Sequence, residues 1–289
     1  MNTAQTLRFW KYHGLGNDFI LFDLRQQPEH IDLAPATVSA LCARRVGLGA
    51  DGILIAARPA TQNYRLALDA NLALHIFNAD GSRAQMCGNG LRCLARWWWE
   101  DAPENTAATE HLVVATDAGL RQAELISRAE RVTAPWHITC SMGELSFPPG
   151  QAAPSFVTDG RTMRPVLVSV GNPHAVLVLG PNDDPMVFAN RYGQWLTQHP
   201  FFPDGINAGF VSPRADGLHL VVHERGCGIT PACGTGALAA AAVMSRDGKR
   251  QRWPVFQPGG LLDADCSDPH SLRLTGPAVW VAKGSALIP

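Results

Sequence analysis

Two α/β halves, each a strand-rich, barrel-like shell around a central helix, are what this 289-residue sequence predicts. Three observations lead there. The pattern Cys-Gly-x-Gly occurs twice, as Cys87-Gly88-Asn89-Gly90 and Cys233-Gly234-Thr235-Gly236, 146 residues apart (233 − 87), with one copy in each half. Each copy opens a helix-like stretch. The second stretch, Ala237 to Met244, is apolar all round and needs burial on every side, which a shell of strands provides. The halves also share an order. A Gly-Asn turn precedes a strand in both (Asn17, Asn172), Asn78 sits nine residues before Cys87, and Glu224 sits nine before Cys233. A shared order of this kind indicates internal duplication.

The elements follow from local pattern. Phe19 to Phe22 is a short apolar strand after the Gly-rich turn at 13–17, and Ile53 to Ile55 follows a second such turn at 47–52. Leu74 to Phe77 alternates as a strand does. After Gly88, Leu91, Leu94, Ala95 and Trp98 fall at helical spacing. Trp97-Trp98-Trp99 reads as a packing feature, facing the opposite half. Val113 to Ala115 and Leu120 to Ile126 are further strands. The polar stretch Ser127 to Arg131 is the expected switch point, giving a first half over 1–131 and a second over 132–276 that opens at Trp136 to Thr139. Val166 to Val170, Ala175 to Leu179 and Leu218 to His223 complete the strands read in the second half.

Composition bounds the function. A 46 % hydrophobic and 17 % charged chain is ordinary for a globular enzyme. A net charge of −1 gives no electrostatic case for nucleic acid or an anionic membrane. Met1 to Trp10 holds no long apolar signal segment, and no uncharged apolar run reaches transmembrane length. Seven cysteines without a CxxC pair read as reduced, cytoplasmic and free of structural zinc. Five of them, Cys42, Cys93, Cys140, Cys227 and Cys266, read as packing residues; Cys87 and Cys233 are set apart by their duplicated glycine context.

That context carries chemistry. A helix N-terminus presents unpaired N–H groups and a positive dipole end, which suit a carboxylate. A thiol placed there is expected at a lowered pKa, roughly 3.5–7.5, where it serves as acid or base. Two such thiols on opposite faces of one α-carbon invert it, one removing the proton and the other supplying one.

The residues now resemble a known family, diaminopimelate epimerase. The matching segments are HGLGNDFILFD (13–23), GLGADGILI (47–55), FNADGSRAQMCGNGLRC (77–93), GNPHAV (171–176), FPDGINAGFV (202–211) and ERGCGITPACGTGA (224–237). The resemblance implies two pseudo-symmetric halves with the active site in the cleft between them, and a final strand near Ala278 to Ala282 (277–289) that returns to the first half. It implies interconversion of LL- and meso-diaminopimelate, in lysine and peptidoglycan precursor biosynthesis, without pyridoxal phosphate or another cofactor. A small amino-acid substrate is the implied partner, and a homodimer the implied assembly. The scarcity of lysine (Lys11, Lys249, Lys283) agrees with the absence of a Schiff base.

Carried over by position, Cys87 and Cys233 match the two acid/base thiols, assisted by His174 and Glu224. Gly88, Asn89, Gly234 and Thr235 match the positions whose N–H groups hold the α-carboxylate. Asn17, Gly52, Asn78, Asn172, Asn207, Glu224 and Arg225 match substrate-contacting positions, with Arg225 on the distal carboxylate and Glu224 on the distal ammonium. Plainer readings stand beside these: Asn17 and Asn172 as turn residues, His174 as a satisfied loop histidine, Glu224 and Arg225 as a surface pair. Two positions depart from the family pattern. Gly52 stands where some members have Gln, and Ile229 replaces an acidic residue. Cys227 is an extra thiol near the second motif. The alternatives are a two-thiol racemase for another amino acid, and a Cys/His174 thiol hydrolase, which leaves the duplication unexplained.

Overall fold

Residues 5–25, 33–59, 69–102, 109–148, 153–158 and 160–288 are described by a computed structural model of the chain. The chain forms two compact units, Met1–Cys140 with Gly276–Pro289, and Ser141–Thr275.

The first unit contains β1 (Gln5–Gly14), β2 (Asn17–Asp23), α1 (Pro35–Cys42), β3 (Gly52–Ala57), β4 (Leu72–Asn78), the two-residue β5 (Arg83–Ala84), α2 (Gly88–Asp101), β6 (His111–Thr116), β7 (Gly119–Ser127) and most of β8 (Trp136–Gly143). β1 and β2 pair antiparallel, β2 and β3 parallel, β3 and β4 antiparallel, β4 and β6 parallel, and β6, β7 and β8 antiparallel in turn. The second unit follows with β9 (Phe156–Thr158), β10 (Arg161–Met163), β11 (Val166–Ser169), β12 (Pro173–Val178), α3 (Pro185–Thr197), β13 (Asn207–Arg214), β14 (Gly217–Glu224), β15 (Gly228–Ile229), α4 (Gly234–Met244), β16 (Arg252–Gln257), β17 (Gly260–Asp265) and the start of β18 (Leu272–Ile288). From Gly276 onward β18 belongs to the first unit, where it pairs antiparallel with β1 and neighbours β8, closing eight strands into a barrel.

The duplication expected from sequence is written in the pairing. β11–β12 is antiparallel, β12–β13 parallel, β13–β14 antiparallel, β14–β16 parallel and β16–β17 antiparallel, the same succession as in the first unit. The helices fall in the same places, α1 and α3 before the third strand and α2 and α4 after the fourth. The small strands β5 and β15 each pair with the strand that precedes the cysteine.

Two expectations change. The switch between units falls at Cys140/Ser141, not at 131/132, because β8 hydrogen-bonds β7 and carries Trp136 to Thr139 with the first unit. The tryptophan run packs within its own unit: Trp97 is fully buried edge-on against Trp10, and the Arg25 guanidinium lies over Trp97 and Trp98.

Both motif helices are enclosed. In α4 every residue from Gly236 to Val243 is buried, as its apolar composition requires. In α2 burial extends to two arginines, Arg92 and Arg96, each fully buried. The outer helices α1 and α3 seat separate apolar clusters. Val38 and Leu41 pack with Ile20, Phe22 and Ile53; Phe188 and Leu196 pack with Leu177, Phe210 and Val221. Among the described residues, no helix is long and apolar enough to cross a membrane.

Candidate active site

Cys87 and Cys233 hold the same local position, each the N-cap of its motif helix with extended backbone. The second glycine of each motif explains why. A Cβ on Gly90 would stand 3.0 Å from Leu54, and one on Gly236 would stand 2.7 Å from Val222. These glycines set the helix close against the sheet, which fixes where each cysteine projects.

In the first unit the Cys87 sulfur accepts from the Gly90 N–H at 3.5 Å. Gly88 and Asn89 form the buried first turn, whose N–H groups lie beyond the reach of intrahelical acceptors. The Asn89 side-chain oxygen accepts from Arg92. The β1–β2 turn leading to Asn17 packs here, since a Cβ on Gly14 would lie 3.3 Å from Asn89. Asn78 ends β4, opposite Gly52 on β3, and donates to Ser82 Oγ at 2.9 Å. Gly52 itself is buried. Any Cβ there would meet the Phe77 carbonyl at 2.5 Å, so a longer residue at this position would require β4 to move.

In the second unit the predicted residues form one connected network. His174 Nε2 lies 3.1 Å from both Asn172 Oδ1 and Thr235 Oγ1, and Thr235 Oγ1 lies 3.6 Å from Cys233 Sγ. Asn172 also donates to Thr235 at 3.3 Å. His174 is fully buried, and burial pushes it down to about 3, so its imidazole is neutral. Thr235 links it to Cys233. Asn207 is a brace: its amide donates to the Pro173 carbonyl at 3.1 Å and accepts from the Arg225 N–H at 3.0 Å. Glu224 accepts from Thr230 Oγ1 at 2.5 Å.

One electrostatic expectation is corrected. The Cys233 thiol is pushed up, not down, first by burial and then by the charge of Glu224, which outweigh the Thr235 contact. Cys233 is only 5 % exposed, and the helix N-terminus does not overcome that desolvation. Arg225, by contrast, is exposed. Its guanidinium donates to the Asp204 carbonyl at 3.0 Å, beside a hollow of about 510 Å³ also lined by Phe202, Gly205 and His223. Ile229, the departure from pattern, is half-buried against the core under α3. Of the five remaining cysteines, Cys42, Cys93, Cys140 and Cys266 are buried and Cys227 is exposed.

Two further residues at the site carry no sequence motif. Gln257, at the end of β16, accepts the Cys233 backbone N–H at 2.8 Å. Arg92 lies inside the first motif segment, but nothing in its spacing marks a buried charge. A polar residue closing a strand carries no motif either.

The profile of the diaminopimelate epimerase family matches residues 9–147 and 166–281. The chain belongs to the diaminopimelate epimerase family. As a member it is an epimerase, an isomerase. A diaminopimelate epimerase of Synechococcus elongatus is 37 % identical over 97 % of this chain and 98 % of its own length. One from Xanthomonas axonopodis pv. citri is 38 % identical over 96 % and 95 %. Among solved structures, a hydroxyproline epimerase from Agrobacterium vitis with bound trans-4-hydroxy-L-proline has a TM-score of 0.67 at 14 % identity, covering 100 % of this chain and 94 % of that one. A phenazine biosynthesis protein of the PhzF family from Bacillus anthracis has a TM-score of 0.68 at 13 % identity, covering 98 % and 100 %. At such identities these two establish a shared fold and nothing finer.

Proposed function

We propose that this chain interconverts LL- and meso-diaminopimelate by a two-thiol acid/base mechanism, without a cofactor, on the route to lysine and peptidoglycan precursors. The observation that carries the reading is the equivalent N-cap placement of Cys87 and Cys233 in two units of the same strand succession. One thiolate takes the α-proton, and its sulfur becomes a thiol. The other thiol gives its proton to the opposite face of the same carbon and becomes the thiolate. The electron pair passes meanwhile into the α-carboxylate. The N–H groups of Gly88, Asn89, Gly234 and Thr235, at the positive ends of α2 and α4, hold that charge.

Asn17, Asn78, Asn172, Asn207 and Arg225 serve substrate placement, with Arg225 on the distal carboxylate and Glu224 on the distal ammonium. Glu224 also bears on Cys233 electrostatically. His174 serves through Thr235, which it orients. The lysines are engaged elsewhere: Lys11 pairs with Asp18, Lys249 with Asp247 and Lys283 with Asp101. The enzyme acts in the cytoplasm as a homodimer.

Proton NMR in D2O with LL-diaminopimelate tests the reading. The α-proton signal is expected to disappear with formation of the meso product, and both Cys87→Ala and Cys233→Ala should abolish the inversion. Exchange with another amino acid alone would move the substrate. Full inversion in either variant would end the two-thiol mechanism.

A further inference from the structure

Asn17, Gly52 and Asn78 each stand beside a residue drawn into one charged knot in the first unit. Asp18 and Asp51 cross-bond there. The Asp18 N–H donates to Asp51 Oδ2 at 3.1 Å, and the Asp51 N–H donates to the Asp18 carbonyl at 2.9 Å and to Asp18 Oδ1 at 3.1 Å. The Asp51 carbonyl in turn accepts the Ala79 N–H at 3.1 Å. These bonds join the start of β2, the start of β3 and the end of β4.

Two carboxylates so placed repel each other unless a cation lies between them. Arg44 supplies it, with Nη2 2.7 Å from Asp18 Oδ1 and 2.6 Å from Asp51 Oδ1, and Nη1 3.2 Å from Asp18 Oδ2. Lys11 Nζ lies 3.0 Å from Asp18 Oδ2 and also donates to the Gly49 carbonyl. Burial opposes the Asp18 charge, yet Arg44, Lys11 and Asp51 hold its carboxyl at about 2. The Arg44 and Asp51 side chains are exposed, and an exposed pair contributes little to stability. The effect of the knot is on geometry. The hairpin that delivers Asn17 needs such a hold: Leu15 has a φ of 56°, the one positive φ outside glycine among the described residues, a strained state that persists where the surroundings fix it.

The second unit makes the same join with one side chain. Parallel register sets Gly52 opposite Phe19 and Asn207 opposite His174, so Asn207 holds the place of Gly52. The Asn207 amide donates to the Pro173 carbonyl at 3.1 Å and accepts the Arg225 N–H at 3.0 Å. Pro173 follows Asn172 as Asp18 follows Asn17, and Arg225 follows Glu224 as Ala79 follows Asn78. Gly52 has no side chain to do this, and Pro173 and Ile206 stand where the first unit has Asp18 and Asp51. A neutral amide in one unit and a charged knot in the other tie the same three points.

We propose that Arg44 is a positioning residue: by neutralising Asp18 and Asp51 it holds Asn17 and Asn78 about Gly52 in the geometry that receives substrate. The proposal deepens the substrate reading above and rests on it.

The test is amide hydrogen exchange by NMR, with steady-state kinetics on LL-diaminopimelate, in wild type, Arg44→Met, Arg44→Gln and Arg44→Met/Asp18→Asn. In Arg44→Met the Asp51 and Ala79 amides should exchange about tenfold faster, with those of Leu21 and Leu54 in mid-strand unchanged. KM should rise about tenfold while kcat stays within about threefold of wild type. Arg44→Gln keeps a donor without the charge, so it should match Met, and it carries the test if Met does not fold. Asp18→Asn keeps an oxygen for the Asp51 N–H and removes one of the two like charges. In the double variant both readouts should therefore return to within about threefold of wild type. Exchange that quickens equally throughout β2 and β3, an unchanged KM, or no recovery in the double variant overturns the proposal. If wild type leaves diaminopimelate unchanged while the two amides still follow the charge at 44, the substrate reading fails and the charge-held join stands.

Discussion

The backbone N–H of Cys233 donates to the side-chain oxygen of Gln257 at 2.8 Å, in a fully buried hydrogen bond between α4 and the end of β16. The other end of that amide, Nε2, has no partner. Gln257 therefore fixes the backbone that carries the thiol at the cost of one buried donor. Gln257→Leu strands the buried Cys233 N–H, at a cost of about 1–3 kcal/mol, and relieves the unsatisfied Nε2, a gain of similar size. We expect the melting temperature to stay within a few degrees of wild type, while α-proton exchange slows as Cys233 loses its anchor. A large drop in melting temperature with an unchanged rate would make Gln257 a packing residue only. Calorimetry and exchange kinetics on one preparation decide it.

Arg92 and Arg96 are equally buried, but only Arg96 has a carboxylate partner among the described residues. Arg96→Met strips its partners from Glu100, which also accepts from Tyr12, and from three backbone carbonyls. Breaking a buried pair in this way costs about 3–5 kcal/mol, so this variant should unfold at markedly lower urea. Arg92→Met removes a charge with no carboxylate partner, and it should lose far less. Equal losses at the two sites would show that Arg92 is held by contacts as Arg96 is.

His174 makes stability depend on acid. Its pKa is about 3 in the folded chain, against about 6.5 in an unfolded one. Between those values the unfolded chain binds a proton that the folded chain does not. The contribution of His174 is therefore complete above about pH 6.5 and is lost on acidification by about 1.4 kcal/mol per pH unit down to about pH 3. Asp18 adds to acid loss only lower, as its carboxyl is held near 2 against burial by Arg44 and Lys11. Urea midpoints at pH 4, 5, 6 and 7 should thus fall less steeply in His174→Gln than in wild type. Parallel curves would mean that the imidazole protonates in the folded state.

What the sequence could yield follows from where the signals are local. The cysteine motifs, the buried helix α4 and the alternation in β4 and β14 are short-range patterns, and they appear where expected. α3 carries local signals, the Asp184 cap and Pro185 in its first turn, but polar residues interrupt its apolar face of Phe188, Ala189 and Leu196, and packing against β13 and β14 defines the helix. The polar stretch at 127–131 reads as a linker, whereas the pairing of β8 with β7 that carries the division to Cys140/Ser141 is a long-range fact. The site divides likewise. His174, Asn172 and Thr235 were nameable from motifs, but Gln257 and the isolation of Arg92 exist only once distant strands enclose them.

The close approach of α4 to β14 gives the last prediction. A Cβ on Gly236 would meet Val222 at 2.7 Å and the Cys233 side chain at 3.3 Å, whereas one on Gly90 would meet Leu54 at 3.0 Å and Cys87 at 3.5 Å. Alanine at either glycine gains up to about 1 kcal/mol of helix propensity, which the clash opposes. At 2.7 Å something has to shift, and a β-branched valine has little rotamer freedom to yield. Gly236→Ala should therefore destabilise by about 1–3 kcal/mol, more than Gly90→Ala. Val222→Ala alone should cost a similar amount through its cavity. The double variant Gly236→Ala/Val222→Ala should recover much of the loss, because the new methyl occupies the space vacated by the valine, giving a favourable coupling of about 1 kcal/mol or more. Strict additivity in chemical denaturation would show that the helix is spaced from the sheet by some other contact. Recovery of stability without recovery of exchange would show instead that the spacing serves chiefly to aim Cys233.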